Sequence, residues 1–202
     1  GTFDHNLHAL RIVENFEQSY AGFSGLNLTF EVREGIIKHS RDYAAAEHPE
    51  LAEYRLDLRP PLEAQLIDLV DEIAYNIADL DDGFEARLLD LDTLRAELPA
   101  FAESYAAIER QYPAARTHSK FSEAIKHILD RLATDLIENT RAQVRSFGAR
   151  SVEDIRSAPR RLAAFSEPQA AISASLKQFL SRRLYNNPAI VEERDRSVDS
   201  LE

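Results

Sequence analysis

Residues 60–87 read PPLEAQLIDLVDEIAYNIADLDDGFEAR, and this stretch decides the fold. Its apolar residues recur at spacings of three and four, which is the period of an amphipathic α-helix. They are Leu62, Leu66, Leu69, Ile73, Ile77 and Leu80. The pattern predicts one long helix that begins behind the Pro-Pro pair and ends at the Asp-Asp-Gly of residues 81–83.

A second face of the same predicted helix carries Asp71, Tyr75 and Asp79. Because these residues are four apart, each lies about one helical turn beyond the last, away from the apolar stripe. Two carboxylates with a tyrosine between them therefore project together from a rigid rod. On spacing alone, a hydrated helix face explains them, and a binding face is the alternative.

The remaining segments also carry helical periodicity, and the sequence predicts an all-α protein. Helices are predicted at residues 3–20, 29–39, 119–147 and 168–185, and in two pieces at 90–112, where Pro99 interrupts the pattern. The first of these is expected to bury Phe3, Leu7, Leu10, Val13, Phe16 and Tyr20. Gly148 is the predicted stop of helix 119–147. Residues 40–61 are predicted to be a surface loop or a weak helix.

The length, the net charge and the amino-acid composition restrict the class of protein. The chain has 202 residues, a net charge of −11 and no cysteine. The charge argues against nucleic-acid binding. The sequence shows no apolar run of the length that spans a membrane, and together with the lack of cysteine this fits a cytoplasmic protein. Residues 68–92 hold nine acids and one base, Arg87. An anionic ligand near them therefore requires a cation.

Several chemistries lack their motifs. The sequence contains no GxGxxG, no GxxxxGK[ST], no HExxH and no GxSxG, and it has no cysteine nucleophile. Carboxylate, imidazole and tyrosine side chains remain as candidates.

Three stretches together resemble the bacterial deoxyguanosinetriphosphate triphosphohydrolase-like family, within the HD superfamily of metal-dependent phosphohydrolases. They are FDHNLHALRIVENFE at 3–17, GLNLTFEVREGIIKHS at 25–40 and LEAQLIDLVDEIAYNIADLDDG at 62–83, with a looser match in AIKHILDRLATDLIENT at 124–140. The resemblance implies an HD-type helical bundle present as a partial chain. Residues 1–150 would form part of its core, and residues 151–202 a helical extension.

The resemblance also implies an activity, the hydrolysis of a deoxynucleoside triphosphate to deoxynucleoside and triphosphate. By the matching positions, Asp71 is a metal ligand, Tyr75 packs on the deoxyribose and Asp79 accepts the sugar hydroxyl. By the same resemblance, His5 is expected to face the scissile phosphate as a catalytic residue. Lys38 is a candidate phosphate contact, although a cation is also favoured at a helix end by the helix dipole.

The family's other metal ligands, a His and a His-Asp pair, have no counterpart here, since Asp4-His5 is the reverse order. They are expected upstream of this chain, which by itself is predicted to be inactive. The implied cofactor is a divalent ion, Mg²⁺ or Mn²⁺. The implied partners are a deoxynucleoside triphosphate, further copies of the chain and a nucleotide effector. Arg156, Arg160 and Arg161 could bind that effector or a neighbouring subunit, or form a solvated basic loop.

Two other functions stay open. The chain could be a non-catalytic helical module for regulation or interaction, with a hydrated acidic face. It could also be an HD-type phosphohydrolase that acts on nucleoside monophosphates or cyclic dinucleotides. The two differ in metal dependence and in substrate range.

Overall fold

A computed structural model describes residues 3–199, with residues 193–195 and 197–199 described by their backbone alone. Within this part of the chain every regular element is helical, so the predicted all-α class is confirmed. The helices are α1 (His5–Arg11), α2 (Phe30–Ile37), α3 (Leu62–Glu85), α4 (Leu91–Glu97), α5 (Pro99–Gln111), α6 (Thr117–Phe147), α7 (Val152–Arg156), α8 (Glu167–Leu180) and α9 (Pro188–Asp199). A π-helical turn follows α1 at Ile12–Phe16 and another follows α8 at Ser181–Tyr185, and Pro49–Tyr54 forms a 3₁₀ helix.

The chain divides into two compact units. Among the described residues, the first unit comprises 3–70 and 139–164, and the second comprises 71–138 and 165–199. The predicted division into residues 1–150 and 151–202 concerns the family resemblance rather than packing, and it stays a prediction.

The first unit has a core of apolar side chains from α1, α2 and the segment that follows α2. Its buried members are Leu10, Ile37, Tyr43, Leu51 and Tyr54. A smaller cluster of Ile155, Ala158 and Leu162 covers the region around α7. Burial of these side chains is the main favourable contribution to folding of the unit.

The second unit is built on α3, α5, α6 and α8. Their apolar stripes are buried as the helical spacing predicts, with Ile73, Ile77 and Leu80 from α3, Phe121, Ile125, Ile128, Leu132 and Leu136 from α6, and Leu176, Phe179 and Leu180 from α8. The rings of Phe84 and Phe121 stack at a centroid distance of 4.0 Å, which joins α3 to α6. One predicted core residue of α6 is misplaced, since Ile137 is 56% exposed.

The first helix is shorter than predicted. α1 ends at Arg11, and the π-helical turn that continues it ends at Phe16 rather than at residue 20. Three residues expected in its core, Phe3, Phe16 and Tyr20, are exposed. The chain turns back at this point because Gly25 N donates to the Glu17 carbonyl at 2.8 Å and Leu26 N donates to the Val13 carbonyl at 2.8 Å. Backbone hydrogen bonds at the base of the loop therefore override the apolar pattern of the sequence.

The central helix α3 continues past its predicted stop at Gly83 and ends at Glu85. A Cβ atom at position 83 would lie 2.8 Å from Leu89 Cδ1 and 3.2 Å from Leu184 Cδ1. Glycine is present here because two leucines pack closely against the helix, and not because the helix ends.

Within residues 3–199, no helix has both the length and the apolar character that a membrane span requires.

Candidate functional site

Helix α3 places Asp71, Tyr75 and Asp79 on one side, as predicted, and all three belong to the second unit. The Asp71 side chain is exposed, Tyr75 is 63% exposed and Asp79 is partly buried. An exposed tyrosine in the middle of a helix offers its ring and its hydroxyl group to a ligand. The three residues thus form a face with two acceptors and one aromatic ring.

The turn that carries Asp71 is fixed by its neighbour in the sequence. Glu72 accepts a hydrogen bond from Ser173 Oγ at 3.0 Å and forms an ion pair with Lys177 Nζ at 2.8 Å. These two contacts tie α3 to α8. Among the described residues, no hydrogen bond or ion pair engages the Asp71 carboxylate itself. A carboxylate that is held by the backbone and has no partner can bind a cation.

Asp79 does have a partner, the hydroxyl group of Tyr185, which donates to Oδ2. Tyr185 is 42% exposed, and partial desolvation of its hydroxyl group together with the hydrogen bond to Asp79 raises the pKa of Tyr185 to about 12. The phenol is therefore protonated at neutral pH and acts as a donor. One oxygen of Asp79 is taken by Tyr185, and the other can accept from a ligand hydroxyl.

His5 lies in the first unit, at the start of α1, and its side chain is exposed. The helix start is anchored on both sides of it. Asp4 caps the helix by accepting from Leu7 N at 3.0 Å. Asn6 donates to the carbonyls of Ile37 and His39 at 3.1 and 2.7 Å. The imidazole of His5 is thus presented from a fixed backbone.

Lys38, also in the first unit, is buried with only 4% of its side chain exposed. Its Nζ donates to Glu34 Oε1 at 2.7 Å and to the carbonyls of Arg55 and Leu58 at 2.9 and 3.0 Å. Burial lowers the pKa of Lys38 below its ordinary value, and the hydrogen bond to Glu34 opposes that shift. Because an ammonium group has three donors, a phosphate contact requires Lys38 to release a partner. That contact stays a prediction.

The chain supplies one of the predicted metal ligands. Within residues 3–199, no three His, Cys, Asp or Glu side chains cluster as a metal ion would require. The carboxylate oxygens of Asp71 are hard ligands of the kind that Mg²⁺ and Mn²⁺ prefer, but one carboxylate does not form a complete site.

Two sets of interactions were not foreseen from the sequence. The first is the Tyr185–Asp79 pair, whose members lie 106 positions apart. The second is the network in the first unit around Asp68. Its Oδ1 lies 2.5 Å from His39 Nδ1 and accepts from Ser40 N at 3.1 Å, and its Oδ2 accepts from Arg161 Nη1. Helical periodicity reports on neighbours within one helix and carries no signal for such long-range pairs.

Comparison with known proteins identifies the class of the chain. A scan against models of protein families gives no match. Curated relatives do match, and those below are named deoxyguanosinetriphosphate triphosphohydrolase-like proteins. One from Ralstonia pickettii is 42% identical over 188 residues, which is 93% of this chain and 48% of that protein.

Two further relatives agree with the first. One from Bordetella pertussis is 41% identical over 192 residues, covering 95% of this chain and 50% of that protein. One from Jannaschia is 38% identical over 208 residues, covering 100% and 52%. Across the length that it shares with them, the chain belongs to the family of deoxyguanosinetriphosphate triphosphohydrolase-like proteins. It spans about half the length of the curated relatives it matches.

Proposed function

We propose that the whole protein hydrolyses deoxynucleoside triphosphates such as dGTP to deoxynucleoside and inorganic triphosphate. Family membership supports the class of hydrolase, and the face of α3 supports the choice of residues. The single observation that carries the proposal is that Asp71 is held in mid-helix without a partner among the described residues, one turn before an exposed tyrosine.

Asp71 is proposed as one ligand of a divalent metal ion, Mg²⁺ or Mn²⁺. Such an ion supplies a Lewis acid for a phosphate oxygen and lowers the pKa of a bound water. Its charge also offsets the acids of residues 68–92, which would otherwise repel a triphosphate. The described residues of this chain provide no complete metal site, so we expect residues 1–202 alone to be inactive.

Tyr75 and Asp79 are proposed to bind the sugar. The exposed ring of Tyr75 can pack on the apolar face of a deoxyribose, and the free oxygen of Asp79 can accept from its hydroxyl group. His5 is proposed as the group that protonates the leaving oxygen or orients the attacking water. Lys38 remains a candidate phosphate contact on the condition given above.

The bond that breaks in the proposed reaction determines which products an assay should detect. Water adds at the α-phosphorus, the bond to the 5′ oxygen breaks, and that oxygen leaves protonated as the deoxynucleoside. Purified whole protein should therefore release intact triphosphate and deoxyguanosine from dGTP in the presence of Mg²⁺ or Mn²⁺. Release of single phosphates, or of pyrophosphate with dGMP, would contradict the proposal.

A substrate panel separates the alternatives. Hydrolysis of nucleoside monophosphates or cyclic dinucleotides, with deoxynucleoside triphosphates untouched, would indicate a different phosphohydrolase. A non-catalytic module would hydrolyse none of them, and metal ions would not change its melting temperature. A homo-oligomer, a nucleotide effector and a cytoplasmic location are proposed only by analogy with the family.

A further inference from the structure

The residues on either side of His5 are tied to the same stretch of the chain. Asp4 and Asn6 both make hydrogen bonds to residues 37–43, which are the last residue of α2 and the segment after it. His5 lies between them and has an exposed side chain. All of these residues belong to the first unit. The backbone of His5 is therefore fixed from both sides, while its imidazole stays open to a ligand.

The Asp4 carboxylate binds three groups at once. Its Oδ1 accepts from Leu7 N at 3.0 Å, which caps the helix, and from Tyr43 Oη at 2.8 Å. Its Oδ2 accepts from Arg41 Nη1 at 2.8 Å. The guanidinium group of Arg41 also lies over the ring of Tyr43, 4.5 Å from its centroid. The carboxylate is therefore held in one orientation, and the arginine compensates its charge.

Tyr43 is a core residue with a polar end. It is buried in the apolar cluster that also contains Leu10 and Tyr54. Its ring meets the ring of His48 edge-on, at a centroid distance of 4.9 Å. Burial and the hydrogen bond to Asp4 raise the pKa of Tyr43 to about 12, so its hydroxyl group is a donor at neutral pH. Because packing fixes the ring, the ring fixes the carboxylate that its hydroxyl group binds.

A second set of the same composition holds the other end of this segment. Glu14, in the π-helical turn after α1, accepts from Tyr54 Oη and from Arg33 Nη1, each at 2.8 Å. Tyr54 is buried in the same apolar cluster as the tyrosine of the first set. Asp4 directly precedes His5, whereas Glu14 follows it by nine positions. The two sets therefore share their chemistry and differ in their distance along the chain from the imidazole.

We propose that Tyr43 and Arg41 are positioning residues for His5 and act through Asp4. This role depends on the proposed function, in which His5 protonates the leaving oxygen or orients the attacking water. Such a group must lie within hydrogen-bond reach of its target, and a misplacement of about 1 Å can lower a rate about a hundredfold. Loss of the tyrosine hydroxyl group removes one contact of Asp4, so the start of α1 can shift. The chemical step should then slow, while the contacts proposed for the sugar stay unaffected.

Steady-state kinetics of the whole protein with dGTP and Mn²⁺ test this role. Tyr43→Phe removes the hydroxyl group and keeps the ring in the core. We expect it to lower kcat about tenfold and to change KM less than about twofold. Tyr54→Phe makes the same change in the second set and should leave both constants within about twofold of their original values. Thermal unfolding should show a similar small loss of stability in both variants, so a difference in kcat reports on position.

Removal of the imidazole separates a positioning role from a general effect on the fold. Arg41→Gln alone should lower kcat about fivefold, because a charge-assisted contact of Asp4 is lost. When Tyr43→Phe or Arg41→Gln is added to His5→Gln, the residual rate should change less than about twofold. The group that both residues position is then already absent.

Each possible result decides a different point. Absence of triphosphate release from dGTP by the unmodified protein would contradict the proposed function, and the positioning role with it. Full activity of His5→Gln would contradict the role of His5. If those two hold, equal kcat values for Tyr43→Phe and Tyr54→Phe would overturn the positioning role. A tenfold loss that persists when Tyr43→Phe is added to His5→Gln would also overturn it, because the tyrosine would then act on the fold.

Discussion

Arg156 and Glu34 lie 122 positions apart in the sequence, and their charged groups meet in the interior of the first unit. Arg156 Nη2 and Nε lie 2.7 and 3.2 Å from Glu34 Oε2, and the two side chains are 3% and 0% exposed. Lys38 Nζ occupies the other oxygen, Oε1, at 2.7 Å. One buried carboxylate therefore binds two cations.

Loss of this pair should be costly. Arg156→Met leaves Glu34 with one cation, and removal of one partner of a buried ion pair costs about 3–5 kcal/mol. Arg145→Met removes an exposed arginine of α6 and should change the free energy of unfolding by less than about 0.5 kcal/mol. Urea denaturation measures both. Similar values for the two variants would mean that the buried pair adds nothing to stability.

Gly25 should tolerate no side chain. Its φ is +77°, and a Cβ atom there would lie 2.3 Å from the Glu14 carbonyl oxygen, so backbone must move. Gly25→Ala should therefore lower the free energy of unfolding by about 1–3 kcal/mol. Gly22, in the same loop, has nothing within 4 Å of a built Cβ atom. Gly22→Ala should be neutral or slightly stabilising. Thermal unfolding should therefore give a lower Tm for Gly25→Ala than for Gly22→Ala, and the reverse order would contradict the prediction.

Asp4 should stabilise the helix of His5 in a pH-dependent way. The backbone N–H of Leu7, with further help from Tyr43 and Arg41, lowers the pKa of Asp4 below its ordinary value of 3.8. A lowered pKa means that the stabilisation is complete above pH 3.8 and is lost as the pH falls below it through the folded-state value. Asp4→Ala should cost about 1 kcal/mol at pH 7.

The difference between Asp4→Ala and the unmodified protein should therefore shrink as the pH falls below about 4. Asp4→Asn keeps a capping side chain without a charge. Relative to Asp4→Ala, its stability should show no loss in that range. A difference that stays constant from pH 7 to pH 3 would exclude the ionised carboxylate as the source of the stabilisation.

The proposed sugar contact of Tyr75 predicts a separation of substrate use from metal use. Tyr75→Ala in the whole protein should raise KM for dGTP about tenfold through loss of ring contacts, with the Mn²⁺ dependence unchanged. Tyr112→Ala removes another exposed tyrosine of the second unit, outside the α3 face, and should leave KM unchanged. Loss of metal dependence in Tyr75→Ala would contradict its role.

The long amphipathic helices could be predicted because the apolar period of each one depends on residues within that helix alone. Helices α3 and α6 have apolar residues at every turn, and they begin and end within a few residues of the predicted positions. The first helix and Gly83 show the limit of such patterns. Phe16 and Tyr20 continue the apolar period but lie in solvent, because the chain reverses at Gly25.

The candidate site was predictable to the same extent. Spacing places Asp71, Tyr75 and Asp79 on one face of α3, since four residues make one turn. Spacing does not indicate that Tyr185 donates to Asp79, or that Lys38 is buried against Glu34. These contacts join segments that only the folded chain brings together, so they could not be predicted from local pattern.

The central claim is that Asp71 is a ligand of the divalent metal ion. Replacing Asp71 with a neutral side chain tests this claim most directly. The measurement is the rate of triphosphate release from dGTP by the whole protein over a range of Mn²⁺ concentrations. Asp71→Asn should lower kcat/KM at least about a hundredfold, a loss of roughly 3 kcal/mol of transition-state stabilisation. Asp82→Asn, an exposed acid further along α3, should retain the rate of the unmodified protein. Full activity of Asp71→Asn would contradict the account.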